Sequence, residues 1–60
     1  MNSDTQYHNK QGLIHKREKR WDEAIAEFEQ TLALNPDNTF ALSNLAHIYF
    51  IQNDLQQAQH

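Results

Sequence analysis

WDEAIAEFEQTLALNPDN, Trp21 to Asn38, is the stretch on which the reading of this chain turns. Ala24, Ile25, Phe28 and Leu32, with Trp21 at the start, recur at intervals of three and four and therefore share one helix face. Asp22 and Glu23 fall in the first turn, where carboxylates meet the free backbone N–H groups. Asn35-Pro36-Asp37-Asn38 closes the segment, because proline disfavours helical geometry in the residue before it. The spacing predicts a helix from about Asp22 to Leu34.

Upstream, a second helix is expected from about Thr5 to Glu18. Ser3 and Gln6 stand in the relation of a capping box, and Lys16, Arg17, Lys19 and Arg20 crowd the end where positive charge suits free carbonyls. Downstream, a helix from about Thr39 to Gln52 follows, with Asn38 as its cap. Asn53-Asp54 marks a further turn, Asp54 and Gln57 form another capping pair, and a short fourth helix starts near Leu55. No run alternates apolar and polar residues as a strand would. The expected fold class is all-α, antiparallel helical hairpins comprising three helices and a truncated fourth, in a single domain over residues 1–60.

Composition narrows the chemistry. The chain has 60 residues and no cysteine, so neither a disulfide nor a thiolate metal site supports the fold. Its mean hydropathy of −0.91 is polar for a globular domain, yet three Phe, two Tyr and one Trp argue against disorder. A formal charge of −3 offers no attraction to nucleic acid or an anionic membrane. Phe40 to Ile51, the longest apolar-rich stretch, is far short of the roughly 20 residues of a membrane span. Met1 to Lys10 has no apolar core of a secretory signal, so the expected location is cytoplasmic.

Short helices and short loops invite a search for periodicity. At an offset of 34 residues, Thr5 matches Thr39, Ile14 matches Ile48 and Ala24 matches Ala58, while Gly12 faces Ala46, His15 faces Tyr49 and Trp21 faces Leu55. With this period, Trp21 to Asn38 resembles the second helix of a tetratricopeptide repeat, and ALSNLAHIYFIQNDLQQA, Ala41 to Ala58, resembles the first helix of the next. The resemblance implies a first repeat over 5–38 and an incomplete second over 39–60. Gly12, Ala24, Ala46 and Ala58 are expected where helix axes approach closely. Trp21, Phe28, Leu42, Leu45 and Tyr49 are expected to supply the buried area.

The first helix departs from the family pattern. His8 and Gln11 stand in place of an aromatic and a leucine, His15 in place of tyrosine and Lys19 in place of glycine; Thr31 replaces an alanine in the second. A terminal repeat with a polar outer face, and a fragment of a larger array, both fit these changes.

Catalytic and metal chemistry find little to stand on. His8 and His15 are seven apart, without the tighter spacing or further ligands of a zinc site, so no metal and no cofactor are expected. Ser3 and Ser43 lack a nucleophile elbow, and Gly12 alone makes no phosphate loop. The carboxylates Asp22, Glu23, Glu27 and Glu29 read as a solvated helix face, and Glu18 interrupts the basic run from Lys16 to Arg20. The chain is not expected to be an enzyme.

A binding surface is the stronger candidate. Phe40, Ser43, His47 and Phe50, spaced 3, 4 and 3, form one helical stripe. The resemblance implies that this stripe lines a concave, peptide-gripping groove, opposite Gln6, Asn9, Leu13 and Lys16, with Arg17 beside them. It also implies a peptide-contacting role for Asn44. The family's carboxylate clamp is not supported, since Asn9 stands where its first lysine belongs and Leu13 where an asparagine belongs. Three readings follow: a module binding a protein or peptide through Asn9, Leu13, Lys16, Arg17, Phe40, Ser43, Asn44, His47 and Phe50; a homodimer in which the chain pairs with its own copy; and a truncated piece of a longer repeat protein.

Overall fold

The computed structural model describes residues 3–58, and side chains from Ser3 to Leu55. Three α-helices follow one another: α1 (Ser3–Arg17), α2 (Trp21–Leu34) and α3 (Thr39–Ala58). The all-α fold of helical hairpins is as expected. α1 is already helical at Ser3, two residues before its expected start.

α1 and α2 form an antiparallel hairpin. Thr5 lies by Thr31 near the start of α1 and the end of α2, and Gly12 by Phe28 further along, so positions rise along one helix as they fall along the other. The junction is a Schellman cap. Lys19 N–H donates to Lys16 O at 3.0 Å, Arg20 N–H donates to His15 O at 2.8 Å, and Lys19 takes a left-handed φ of 63°. That conformation explains the family's preference for glycine here, since a lysine Cβ is strained in it.

Gly12 is the point of closest approach. A Cβ placed there would lie 2.8 Å from Phe28 Cζ and 2.9 Å from each Cε, so only a bare backbone fits over the ring. Phe28 is 0% exposed and anchors the core with Ala24, Ala41, Leu45 and Ile48, while Trp21, Ile25 and Leu32 pack at its margin. Thr31 is fully buried; its hydroxyl donates to Thr5 O at 3.5 Å, which gives a polar group an outlet inside the hairpin.

The loop to α3 behaves as its residues dictate. Asn35 is extended (φ −145°, ψ 90°) ahead of Pro36. Asn38 caps α3, its Oδ1 accepting from Ala41 N–H at 2.9 Å.

Two expectations are corrected. α3 runs unbroken through Asn53 and Asp54 to Ala58, so the turn there and a separate fourth helix from Leu55 are absent among the described residues. Neither residue is Gly or Pro, and helical Asn or Asp costs only about 0.7 kcal/mol relative to alanine. Reversing the chain would break the backbone bonds that span the pair. Leu42 and Tyr49 are also not core residues: they are 47% and 49% exposed, and Ala46 between them is exposed too. They point away from α2, and no described element packs on that side.

Candidate functional site

α1 and α3 run in the same direction on one side of α2. Asn9 pairs with Asn38 and Lys16 with Asn44, sequence separations of 29 and 28, as parallel helices require. Asn9 Nδ2 donates to Asn38 Oδ1 at 3.3 Å, and Lys16 Nζ donates to Asn44 Oδ1 at 2.9 Å. Asn44 Nδ2 in turn donates to Phe40 O at 2.8 Å, within α3. These polar bridges set the spacing between the two helices.

Above the Asn9–Asn38 bridge lies an open pocket of about 420 Å³, lined by Gln6, Asn9, Lys10, Leu13 and Phe40. Its floor is apolar. Phe40 is 45% exposed and leans on the buried Phe28, with ring centroids 6.3 Å apart and planes tilted by 54°. Leu13 is half-buried on the facing helix. Lys10 is the charged residue of the pocket's lining, with Arg17 two turns further along the same edge of α1, whereas α3 has no charged side chain from Thr39 to Asn53.

The residues expected to bind a peptide are thus only partly gathered. Asn9, Leu13 and Phe40 meet at the pocket, and Lys16 meets Asn44. Ser43, His47 and Phe50 continue along the exposed side of α3 outside the pocket wall, with Phe50 65% exposed, and Arg17 is exposed at the end of α1. Asn44 has both amide atoms engaged, which leaves one Nδ2 hydrogen and one Oδ1 lone pair for a ligand. Lys10 was missed by the sequence reading. Its place one turn beyond Gln6 and three residues before Leu13 was the available signal.

On the opposite face of α1, His8 Nδ1 lies 2.7 Å from Glu27 Oε1, both side chains about one quarter exposed, a link between α1 and α2 that spacing along the chain did not reveal. His15 Nδ1 lies 4.0 Å from Glu18 Oε1, too far for a hydrogen bond. Among the described residues no three His, Cys, Asp or Glu side chains cluster to hold a metal ion, and no helix is long and apolar enough to cross a membrane.

The helix, turn and helix of α1 and α2, followed by a third helix parallel to the first, find their counterpart in sequence comparison. Residues 5–38 match a tetratricopeptide repeat family model, and residues 27–60 match a second model of the same description. The chain belongs to the tetratricopeptide repeat family. The two matches overlap on α2 and together cover about one and a half repeats. Tetratricopeptide repeats are non-catalytic scaffolds that serve in general as protein–protein interaction modules. No curated protein and no solved structure gave a significant match.

Proposed function

We propose that the face shared by α1 and α3 binds an extended or helical segment of a partner protein, with one apolar side chain seated between Leu13 and Phe40 and an acidic group against Lys10, Lys16 or Arg17. In this reading 5–38 forms a first repeat and 39–60 the start of a second within one domain. The observation that carries it is the 420 Å³ pocket, lined by the apolar Leu13 and Phe40 with Lys10 at its side. A pocket of that size suits a single large side chain, and long-range attraction by the lysines raises the encounter rate with an acidic segment. Asn9, Ser43, Asn44, His47 and Phe50 extend the surface along the groove and offer polar and apolar contacts to the flanking peptide. Binding to neither nucleic acid nor membrane, and the cytoplasmic setting expected from the sequence, belong to the same proposal.

The test is a peptide-library screen followed by ¹⁵N chemical-shift mapping. Bound peptides should carry an aromatic or aliphatic anchor near an acidic residue. They should shift the amides of Leu13, Phe40 and Asn44, and lose affinity on Phe40→Asp. Shifts confined to α2, or binding indifferent to Phe40→Asp, would refute the reading.

A further inference from the structure

Lys16 is an ammonium without a counter-charge in the seam between α1 and α3. It is half-buried, and its Nζ donates to the neutral Oδ1 of Asn44, also half-buried, at 2.9 Å. Among the described residues the ion pairs are His8–Glu27, His15–Glu18 and Arg20–Glu18, and no carboxylate lies within ion-pair distance of Lys16. α3, the helix that it reaches, has no acidic side chain before Asp54. A lysine that only balanced the dipole of its own helix would turn back to the last carbonyls of α1. Lys16 crosses instead to a residue 28 positions away. An amide oxygen carries a partial charge, so it orients the ammonium without neutralising it, and two of the three N–H donors are left over.

We propose that Lys16, held in place by Asn44, receives an Asp or Glu side chain of the partner segment, and that Lys10 and Arg17 do not. Lys10 and Arg17 are exposed, and no side chain among the described residues fixes either charge, so each loses the freedom of a long side chain on binding. Lys16 has already given up that freedom to Asn44. Resting on the groove function proposed above, this assignment also fixes the spacing of the partner's motif. The anchor pocket lies between Leu13 and Phe40. Lys16 stands three residues beyond Leu13, and Asn44 four beyond Phe40, rises of roughly 4.5 and 6 Å along the two helices. Side chains that point the same way in an extended peptide are two residues and about 6.6 Å apart, whereas neighbours point to opposite sides. In a helical peptide, residues four apart share a face at about 6 Å. The acid therefore belongs two residues from the apolar anchor in an extended segment, or four in a helical one, and never next to it.

Dye-labelled peptides titrated by fluorescence anisotropy test the assignment. Each carries one Trp and one Glu, separated by one to four positions in an otherwise uncharged sequence, and each has a copy with Gln for Glu. A C-terminal amide removes the main-chain carboxylate. At a separation of two or four, the Glu peptide should bind roughly 10-fold tighter than its Gln copy. Lys16→Met should erase that advantage and leave the affinity of the Gln copy unchanged, which also shows that the variant folds. Asn44→Ala should shrink the advantage and flatten its dependence on separation, since the ammonium is then free to swing. Lys10→Met and Arg17→Met should alter it by no more than about twofold. The separation profile of the unsubstituted chain needs no variant and tests the spacing by itself. An advantage that survives Lys16→Met, that Lys10→Met or Arg17→Met removes, or that is equal at every separation would overturn the assignment. The pocket reading would stand in that case, because the Gln copies still bind. Peptides that fail to bind with either residue would overturn both.

Discussion

Replacing Gly12 by alanine sets two effects of opposite sign against each other at one atom. In an ordinary helix interior the change stabilises by about 1 kcal/mol, since alanine restricts the unfolded backbone and glycine does not. Here the added methyl would lie 2.8 to 2.9 Å from three atoms of the Phe28 ring, against the 3.5 to 4.0 Å typical of carbon contacts. The ring cannot yield into solvent, because Phe28 is 0% exposed, and Phe40 leans on it from the groove side. Over-packing of this kind costs about 1–3 kcal/mol, and simultaneous contact with three ring atoms argues for the upper end. The net expectation is a loss of ~2 kcal/mol, which for a domain of this size lowers the Tm by roughly 8–16 °C. Thermal unfolding followed by circular dichroism at 222 nm at fixed concentration measures it. In a Phe28→Leu background the obstructing ring edge is gone, and Gly12→Ala should then turn neutral or stabilising. A wild-type background in which Gly12→Ala leaves the Tm unchanged or raises it would show that α1 and α2 do not meet through the Gly12–Phe28 contact.

Three other perturbations probe separate parts of the fold. Lys19→Gly removes the left-handed strain at the Schellman cap and should raise stability by about 0.5–1 kcal/mol in urea titrations, whereas Lys19→Val should lower it. A double-mutant cycle on His8→Ala and Glu27→Ala should give a coupling of about 0.5–1 kcal/mol, the range of a partly exposed pair; a coupling of zero would mean that the 2.7 Å contact adds nothing to the hairpin. Asp54→Pro should shorten α3, because it deletes a backbone donor inside a continuous helix at a cost of about 3 kcal/mol; unchanged helicity would place a turn there after all.

The hairpin was legible in the sequence because its signals are local. Pro36 forces Asn35 out of helical geometry, Asn38 offers an oxygen three residues before a free N–H, and Phe28 shares a face with Ala24 and Ile25. Gly12 could be read as a close approach because few other roles exist for a glycine inside a helix. The run through Asn53-Asp54 was not legible. Both residues favour caps and turns, but neither stops a helix as proline does, so whether the chain turns depends on whether a neighbour rewards the reversal. The exposure of Leu42 and Tyr49 has the same origin: periodicity says that they share a face, not that a described helix covers it. Spacing places Phe40, Ser43, His47 and Phe50 on one side of α3, where all four are exposed. It left out Lys10 at the pocket and the Lys16–Asn44 bond, because both arise from how α1 and α3 lie beside each other, which neither helix encodes alone.

Asn38 Oδ1 accepts from Ala41 N–H and from Asn9 Nδ2, so a single oxygen both begins α3 and fastens it to the middle of α1. The start of a helix and the width of a groove are therefore coupled through one atom. A ligand that pries α1 from α3 also loosens the first turn of α3, and one that draws them together tightens it. Amide hydrogen exchange at Ala41, next to Phe40 of the pocket floor, then becomes a gauge of how far the groove stands open.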